Sequence, residues 1–326
     1  MTSYSFHNLW VSLNAVWGSD LQTTVSKPII FEGIGLHKGL WSKLVVLPAK
    51  VDSGICFKRL DINKGNKLIP AVLDNVVNSE LCTRLANSDG VSVSTIEHLM
   101  AALTGCGINN ALLEIDGPEV PILDGSALVF VKEILKTGIK LQQQSLNAVR
   151  ILRTVKHEQG SAWARFEPST NPKMSFSIEF SEEAIGTQSK TLDMSNGSFV
   201  RELCDSRTFC SYSTVEAMRS KGLALGGTYK NALVVEGKKV LSPGGLRHAD
   251  EPVRHKMLDA LGDIALAGYP IIGHYSGYKA GHRITHGLLR KLFSDPKNYD
   301  IISCDKEKVD NLPGSGVKLS EVCKVD

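Results

Sequence analysis

The stretch RHKMLDALGD, residues 254–263, carries His255, Asp259 and Asp263 at intervals of four. In an α-helix, four apart is the same face one turn on. An imidazole and a carboxylate so placed can hold two corners of a divalent ion, since zinc accepts nitrogen and oxygen ligands at about 2.0–2.2 Å. The same spacing also suits a plain helix-stabilising pair, worth a few tenths of a kcal/mol. Asp263 then either orients a ligand from outside the coordination shell or makes a salt bridge. From Met257 to Gly268 the other residues are Leu, Ala, Gly and Ile. A helix so apolar is expected to be buried, and buried carboxylates must be paired, hydrogen-bonded or metal-bound.

A catalytic zinc needs a third protein ligand and an open position. In STIEHLMAALTGCG, residues 94–107, Glu97 stands beside His98, a base next to a ligand. Ile96, Leu99, Met100 and Leu103 follow helical periodicity, and Gly105 and Gly107 stop the helix. Ser94-x-x-Glu97 equally reads as a capping box, and His98, off the apolar stripe, equally suits the surface. GHRITH supplies a rival i, i+4 pair, His282 and His286. Spacing leaves these choices open. His7, His37, His157, His248 and His274 have no spacing partner and read as surface or loop residues. The glycine pairs at 33–35, 226–227 and 244–245 match no phosphate-loop spacing and read as turns.

These residues must be carried by a chain of 326 residues, room for two ordinary domains. It is 42% hydrophobic and 22% charged, with a net charge of +3. That charge is too mild for a nucleic-acid binder and suits an anionic small substrate. No apolar run approaches the roughly 18 residues of a membrane span. Seven scattered cysteines form no CxxC pair, which argues against a disulfide framework and for a reducing compartment. Residues 1–22 read as a loosely packed extension; they lack the basic start of a secretory signal.

Alternation over Lys27–Pro48 predicts a hairpin, with strands near 54–60, 67–72 and 110–116 and a helix over 127–136. The polar run TGIKLQQQSLN, 137–147, reads as a domain boundary. Strands follow near 149–155, 162–167 and 174–180, then a less regular region, 186–227, and a strand near 232–236. A helix runs from about Glu251 to Ala267, with Asp250 as cap and Pro252 in its first turn. A strand over IIGHYSGYKA and a helix from His282 to Phe293 close the second half. Strands followed by helices without βαβ alternation predict α+β, in two halves of similar element order. The domains expected are 23–143 and 147–305, with 306–326 as a tail.

STIEHLMAAL, EVPILDGSA, SRTFC, VRHKMLDALGD and YKAGH, in this order, resemble the UDP-3-O-acyl-N-acetylglucosamine deacetylase family, the zinc enzymes of early lipid A synthesis. The resemblance runs from about Thr24 to Asp305. It implies His98, His255 and Asp259 as ligands of Zn2+ (Fe2+ also suits such a set). It implies Glu97 as general base, His282 as the cation near the leaving amine, Thr208 as an oxyanion donor and Asp263 as the carboxylate orienting His282. Lys256 matches a substrate-contacting lysine, and Phe209, Leu81 and Cys82 match pocket residues. Residues 186–235 match an insert forming an acyl-chain tunnel, with Val215, Met218 and Leu223 as its expected lining. His286 falls outside the family pattern and is expected at the surface. His248 stands where an aromatic is usual. The implied fold is two α+β domains with their helices face to face between outer sheets. The implied partner is a UDP-linked acylated amino sugar, handled by a cytoplasmic monomer without nucleic acid or membrane span. A zinc peptidase and a protein with a structural zinc are the rival readings; the second lacks the usual Cys set.

Overall fold

The computed structural model describes residues 20–322. Most of the expected extension lies outside the described residues; Leu21 and Gln22 already belong to a strand, Leu21–Val25. Seven α-helices occur among the described residues: α1 (Glu97–Gly105), α2 (Leu128–Thr137), α3 (Ser198–Glu202), α4 (Tyr212–Ser220), α5 (Glu251–Ile264), α6 (His282–Phe293) and α7 (Lys306–Asp310). The α+β expectation holds.

Two five-stranded sheets share one topology. The first contains, in chain order, Ile29–Ile34, Trp41–Pro48, Ile55–Arg59, Leu68–Pro70 and Ala111–Ile115. The second contains Val155–Gln159, Ala162–Glu167, Lys173–Glu179, Thr187–Asp193 and His274–Tyr278. In each, the fifth strand inserts between the second and the third, antiparallel to the former and parallel to the latter. The helix lying in the long crossover to that fifth strand is α1 in the first half and α5 in the second. The helix that comes after it is α2 in one and α6 in the other.

Burial explains the placement. Ile284, Leu288, Leu289 and Leu292 form the apolar stripe of α6, which packs on strands Val155–Gln159 and Ala162–Glu167. Nearly all of α5 is buried, because it meets its own sheet, α6 and α1 of the other half. Leu99 and Leu103 of α1 and Leu258 and Leu261 of α5 belong to one buried cluster with Phe57 and Leu113 of the first sheet and Phe166 and Phe176 of the second. The α1–α5 contact is very close. A Cβ on Gly262 would lie 2.0 Å from the Glu97 carbonyl oxygen, so only glycine lets the backbones approach this far.

One expectation is corrected, over 186–227. The polar run 137–147 carries a strand, Ile139–Ser145, paired antiparallel with Leu21–Val25. The irregular region expected from Gly186 begins with Thr187–Asp193, the edge strand of the second sheet, and continues into α3, whose Phe199 and Val200 are buried. The tail after 305 is packed: Leu312 and Val317 are buried, and Arg201 bonds to Glu321 at 3.0 Å. No helix among the described residues is long and apolar enough to cross a membrane.

Candidate active site

Glu97 and His98 open α1, and the expected capping box does not form. Ile96 occupies the cap position without a side-chain bond, and Ser94 Oγ donates to the Pro118 carbonyl instead. Glu97 Oε2 accepts from the backbone N–H of Thr83 at 3.0 Å. This bond comes from a different segment and leaves Oε1 free. Burial raises the Glu97 carboxyl above its ordinary range, while His282 and His98 pull it back.

His98, far from the surface, is 4% exposed. Its Nε2 lies 3.5 Å from Asp259 Oδ1, and His255 Nε2 lies 3.3 Å from the same oxygen. The two rings meet edge to face, 5.0 Å between centroids. His255 Nδ1 donates to the Ser206 carbonyl at 3.0 Å, and burial pushes this imidazole down to about 4. A neutral ring protonated at Nδ1 presents a lone pair at Nε2. Two acceptors therefore face each other, and Asp259 Oδ1 is buried without a hydrogen-bond donor. A cation among the three atoms resolves this. Tetrahedral coordination at about 2.0–2.1 Å sets ligand atoms roughly 3.3 Å apart, close to the spacings here. Among the described residues these three are the one buried His/Asp cluster of metal-binding proximity. Asp259 Oδ2 accepts from Lys256 Nζ at 2.7 Å.

The loop carrying Ser206 and Thr208 is tied to the start of α5. Glu251, fully buried, accepts from Arg207 N at 3.0 Å and Nε at 2.8 Å, and from Arg247 N at 2.7 Å. Asp250 caps nothing with its side chain and instead accepts from Arg254 and Lys190. His248 pairs with Asp205 at 2.9 Å.

His282, the first residue of α6, donates from Nδ1 to Asp263 Oδ2 at 2.8 Å and holds Nε2 3.8 Å from Glu97 Oε1. Burial alone would lower its pKa; Asp263, followed by Glu97 and Asp259, outweighs burial and raises it to about 9. The Glu97 carboxyl and the His282 imidazole thus face each other beside the His98–His255–Asp259 cluster.

A cavity of about 1070 Å³ adjoins these residues. His255, Lys256, Asp259 and His282 line it, with Thr208, Phe209, Leu81, Val215 and Met218. Leu81 has φ +70, a strained value for a branched residue, at this wall. Phe209 packs edge-on to His255 at 6.1 Å and to Phe180 at 5.3 Å. No side chain of α4 is buried, so Val215 and Met218 face the cavity rather than a core. Leu223 and Cys82 are not among its lining residues; Cys82 is buried against Ser79. A second cavity, of about 460 Å³, lies beside Met100, Thr104 and Leu261 and has none of these histidines on its wall.

The fold agrees with independent comparison. The family model described as UDP-3-O-acyl N-acetylglycosamine deacetylase matches residues 22–294. The chain belongs to this family. Relatives named UDP-3-O-acyl-N-acetylglucosamine deacetylase include those of Shewanella frigidimarina, 42% identical over 88% of this chain and 94% of its own, and Phenylobacterium zucineum, 43% over 84% and 94%. That of Campylobacter hominis is 40% identical over 88% of this chain and 96% of its own. The family is one of metal-dependent deacetylases, and the chain is accordingly a hydrolase.

Three residues were misjudged or missed by sequence reasoning. His286 is buried, not at the surface, and bonds to Asp263 Oδ1 at 3.2 Å. His37 is 6% exposed, lines the large cavity and has neither ring nitrogen bonded. Thr83 touches both Glu97 and Asp263 and was not singled out; its place directly after Leu81 and Cys82 is the signal that could have found it.

Proposed function

We infer that the protein hydrolyses the acetamide of UDP-3-O-acyl-N-acetylglucosamine, releasing acetate and the free 2-amino sugar nucleotide, the committed step of lipid A biosynthesis. The observation that carries this is the opposition of Glu97 and His282, 3.8 Å apart, beside the His98–His255–Asp259 cluster on the wall of a largely apolar cavity.

His98 Nε2, His255 Nε2 and Asp259 Oδ1 would hold Zn2+, or Fe2+ as a second choice from the same donors. Bound there, the ion supplies Lewis acidity that lets water lose a proton near neutral pH and polarises the amide carbonyl. Glu97 Oε1 takes the proton of the attacking water; its raised basicity comes from burial. The Thr208 hydroxyl, on the cavity wall, donates to the oxygen on which charge develops. An amine leaves poorly unless protonated. His282, kept cationic by Asp263, is the donor within reach, and its proton lies on the side facing Glu97. Lys256 meets the anionic part of the substrate. Phe209, Leu81, Val215 and Met218 exclude water along the acyl chain.

The nucleotide-sugar substrate supports a cytoplasmic setting, as do the thiols of Cys56, Cys82, Cys106, Cys210 and Cys304, which form no disulfide. The deciding experiment combines elemental analysis of the as-isolated protein with acetate release from UDP-3-O-acyl-N-acetylglucosamine and from N-acetylated peptides. Acetate from the nucleotide sugar alone, with one metal per chain, is expected. Peptide cleavage or a metal-free active protein would overturn the reading.

A further inference from the structure

Two side chains at the site take no part in the chemistry above, yet both are committed to one carboxylate oxygen. Asp263 is 1% exposed. Its Oδ2 accepts from His282 Nδ1 at 2.8 Å. Its Oδ1 accepts from Thr83 Oγ1 at 2.5 Å and from His286 Nε2 at 3.2 Å. An ionised carboxylate only accepts, so the hydroxyl and the Nε2–H must both donate, which sets the His286 tautomer. A carboxylate held at one oxygen alone can turn about its Cβ–Cγ bond and carry its partner ring with it. Anchoring Oδ1 from the opposite side fixes the carboxylate plane and hence the His282 ring.

Thr83 does a second thing. Its backbone N–H donates to Glu97 Oε2 at 3.0 Å. One residue therefore holds the non-reacting oxygen of Glu97 and the non-reacting oxygen of Asp263. Thr83 and Glu97 come from the first half, Asp263, His282 and His286 from the second. His286 sits one turn after His282 on α6, the rings nearly parallel and 6.4 Å apart. We propose that Thr83 and His286 are positioning residues, a clasp across the two halves that fixes Asp263 and through it sets the His282 ring opposite Glu97. The proposal rests on the deacetylase reading for its effect on rate, but not for its effect on the His282 ring.

The test uses the full chain loaded with zinc. Thr83→Val keeps shape and the peptide N–H but removes the hydroxyl; Thr83→Ser keeps the hydroxyl. His286→Leu removes the donor, and His286→Gln returns an N–H at similar reach. Bound metal per chain should equal wild type in all four. Loss of outer hydrogen-bond partners typically costs 10–100-fold in activity. Thr83→Val and His286→Leu should therefore lower kcat for acetate release by roughly that factor, with KM within about threefold. Thr83→Ser and His286→Gln should return to within about threefold of wild type. Proton–nitrogen NMR of the imidazoles gives a readout free of activity: the His282 Nδ1–H signal should broaden by faster exchange in the Val and Leu variants and persist in the Ser and Gln variants. If Thr83→Val does not fold, the His286 pair carries the test. Unchanged kcat and an unchanged His282 signal in the Val and Leu variants overturn the clasp, as do Ser and Gln variants as impaired as Val and Leu, which would mark a packing role. An NMR response as expected with no acetate from wild type would refute the deacetylase reading and leave the clasp standing.

Discussion

Replacing Asp263 by Asn removes the charge that keeps His282 protonated while leaving a group of the same shape. His282 titrates at about 9 because Asp263, with help from Glu97 and Asp259, overrides burial. Without Asp263 the opposing burial remains, and the value should fall to the ordinary 6.5 or below. At pH 7.5 a histidine titrating at 9 is about 97% cationic and one at 6.5 about 9%, so protonation alone predicts a rate loss of roughly tenfold. A bound dication near Asp259 would draw the wild-type value down from 9 without reversing the effect of Asp263. The assay is the pH profile of kcat/KM for acetate release. Wild type should hold its rate to alkaline pH and lose it as His282 deprotonates; Asp263→Asn should lose it at least two units earlier and recover part of its rate near pH 6. Stability shifts with pH as well. A histidine with a raised folded value contributes stability fully present below about 6.5 and lost as pH rises through 9. Asp263→Asn should therefore lower Tm more at pH 6 than at pH 9.5. A variant profile of reduced height but unmoved alkaline limb would refute the assignment of His282 as the proton-bearing group.

Glu97→Gln keeps the bond from Thr83 N but cannot take a proton, so it should lower kcat by roughly 10²–10⁴ while Tm stays within a few degrees; a rate within a few fold of wild type would show that another group is the base. His98→Ala and His255→Ala should lose bound metal and activity together, whereas His282→Ala should keep the metal, as read by elemental analysis of dialysed protein. Val215→Asn and Met218→Gln should raise KM for the acylated substrate and barely alter turnover of its de-acylated counterpart, because each methylene withdrawn from water contributes about 0.8 kcal/mol; equal losses on both substrates would place the acyl chain elsewhere.

The long helices were legible and the polar edges were not. α5 and α6 lie close to where periodicity and Pro252 put them, since their apolar stripes are strong. Thr187–Asp193, TQSKTLD, is an edge strand with no fully buried residue, so no alternation of apolar side chains marks it; its pairing with Lys173–Glu179 alone makes it a strand. The capping box at Ser94 failed because a better partner for Glu97, the N–H of Thr83, arrives from another segment. His37 and His286 are buried for reasons no local signal carries: neither a missing spacing partner nor a place outside the family pattern reports what the fold packs against a histidine.

The two i, i+4 pairs, equal at the level of spacing, differ in what each helix face meets. Spacing says which residues share a face, and both pairs do. The face of α5 bearing His255 and Asp259 meets His98 at the start of α1, whereas His282 and His286 of α6 both turn to Asp263. The duplicated topology explains how this division arises. α1 and α5 occupy equivalent crossovers in the two halves, so packing the halves helix to helix necessarily brings these two together, and Gly262 lets them touch at the Glu97 carbonyl. The site is thus built on the seam between equivalent elements. Each half supplies different side chains there, Glu97 and His98 from one and His255, Asp259, Asp263 and His282 from the other. The likeness of the halves is therefore plain in the strand order, while the side chains each brings to the seam are different.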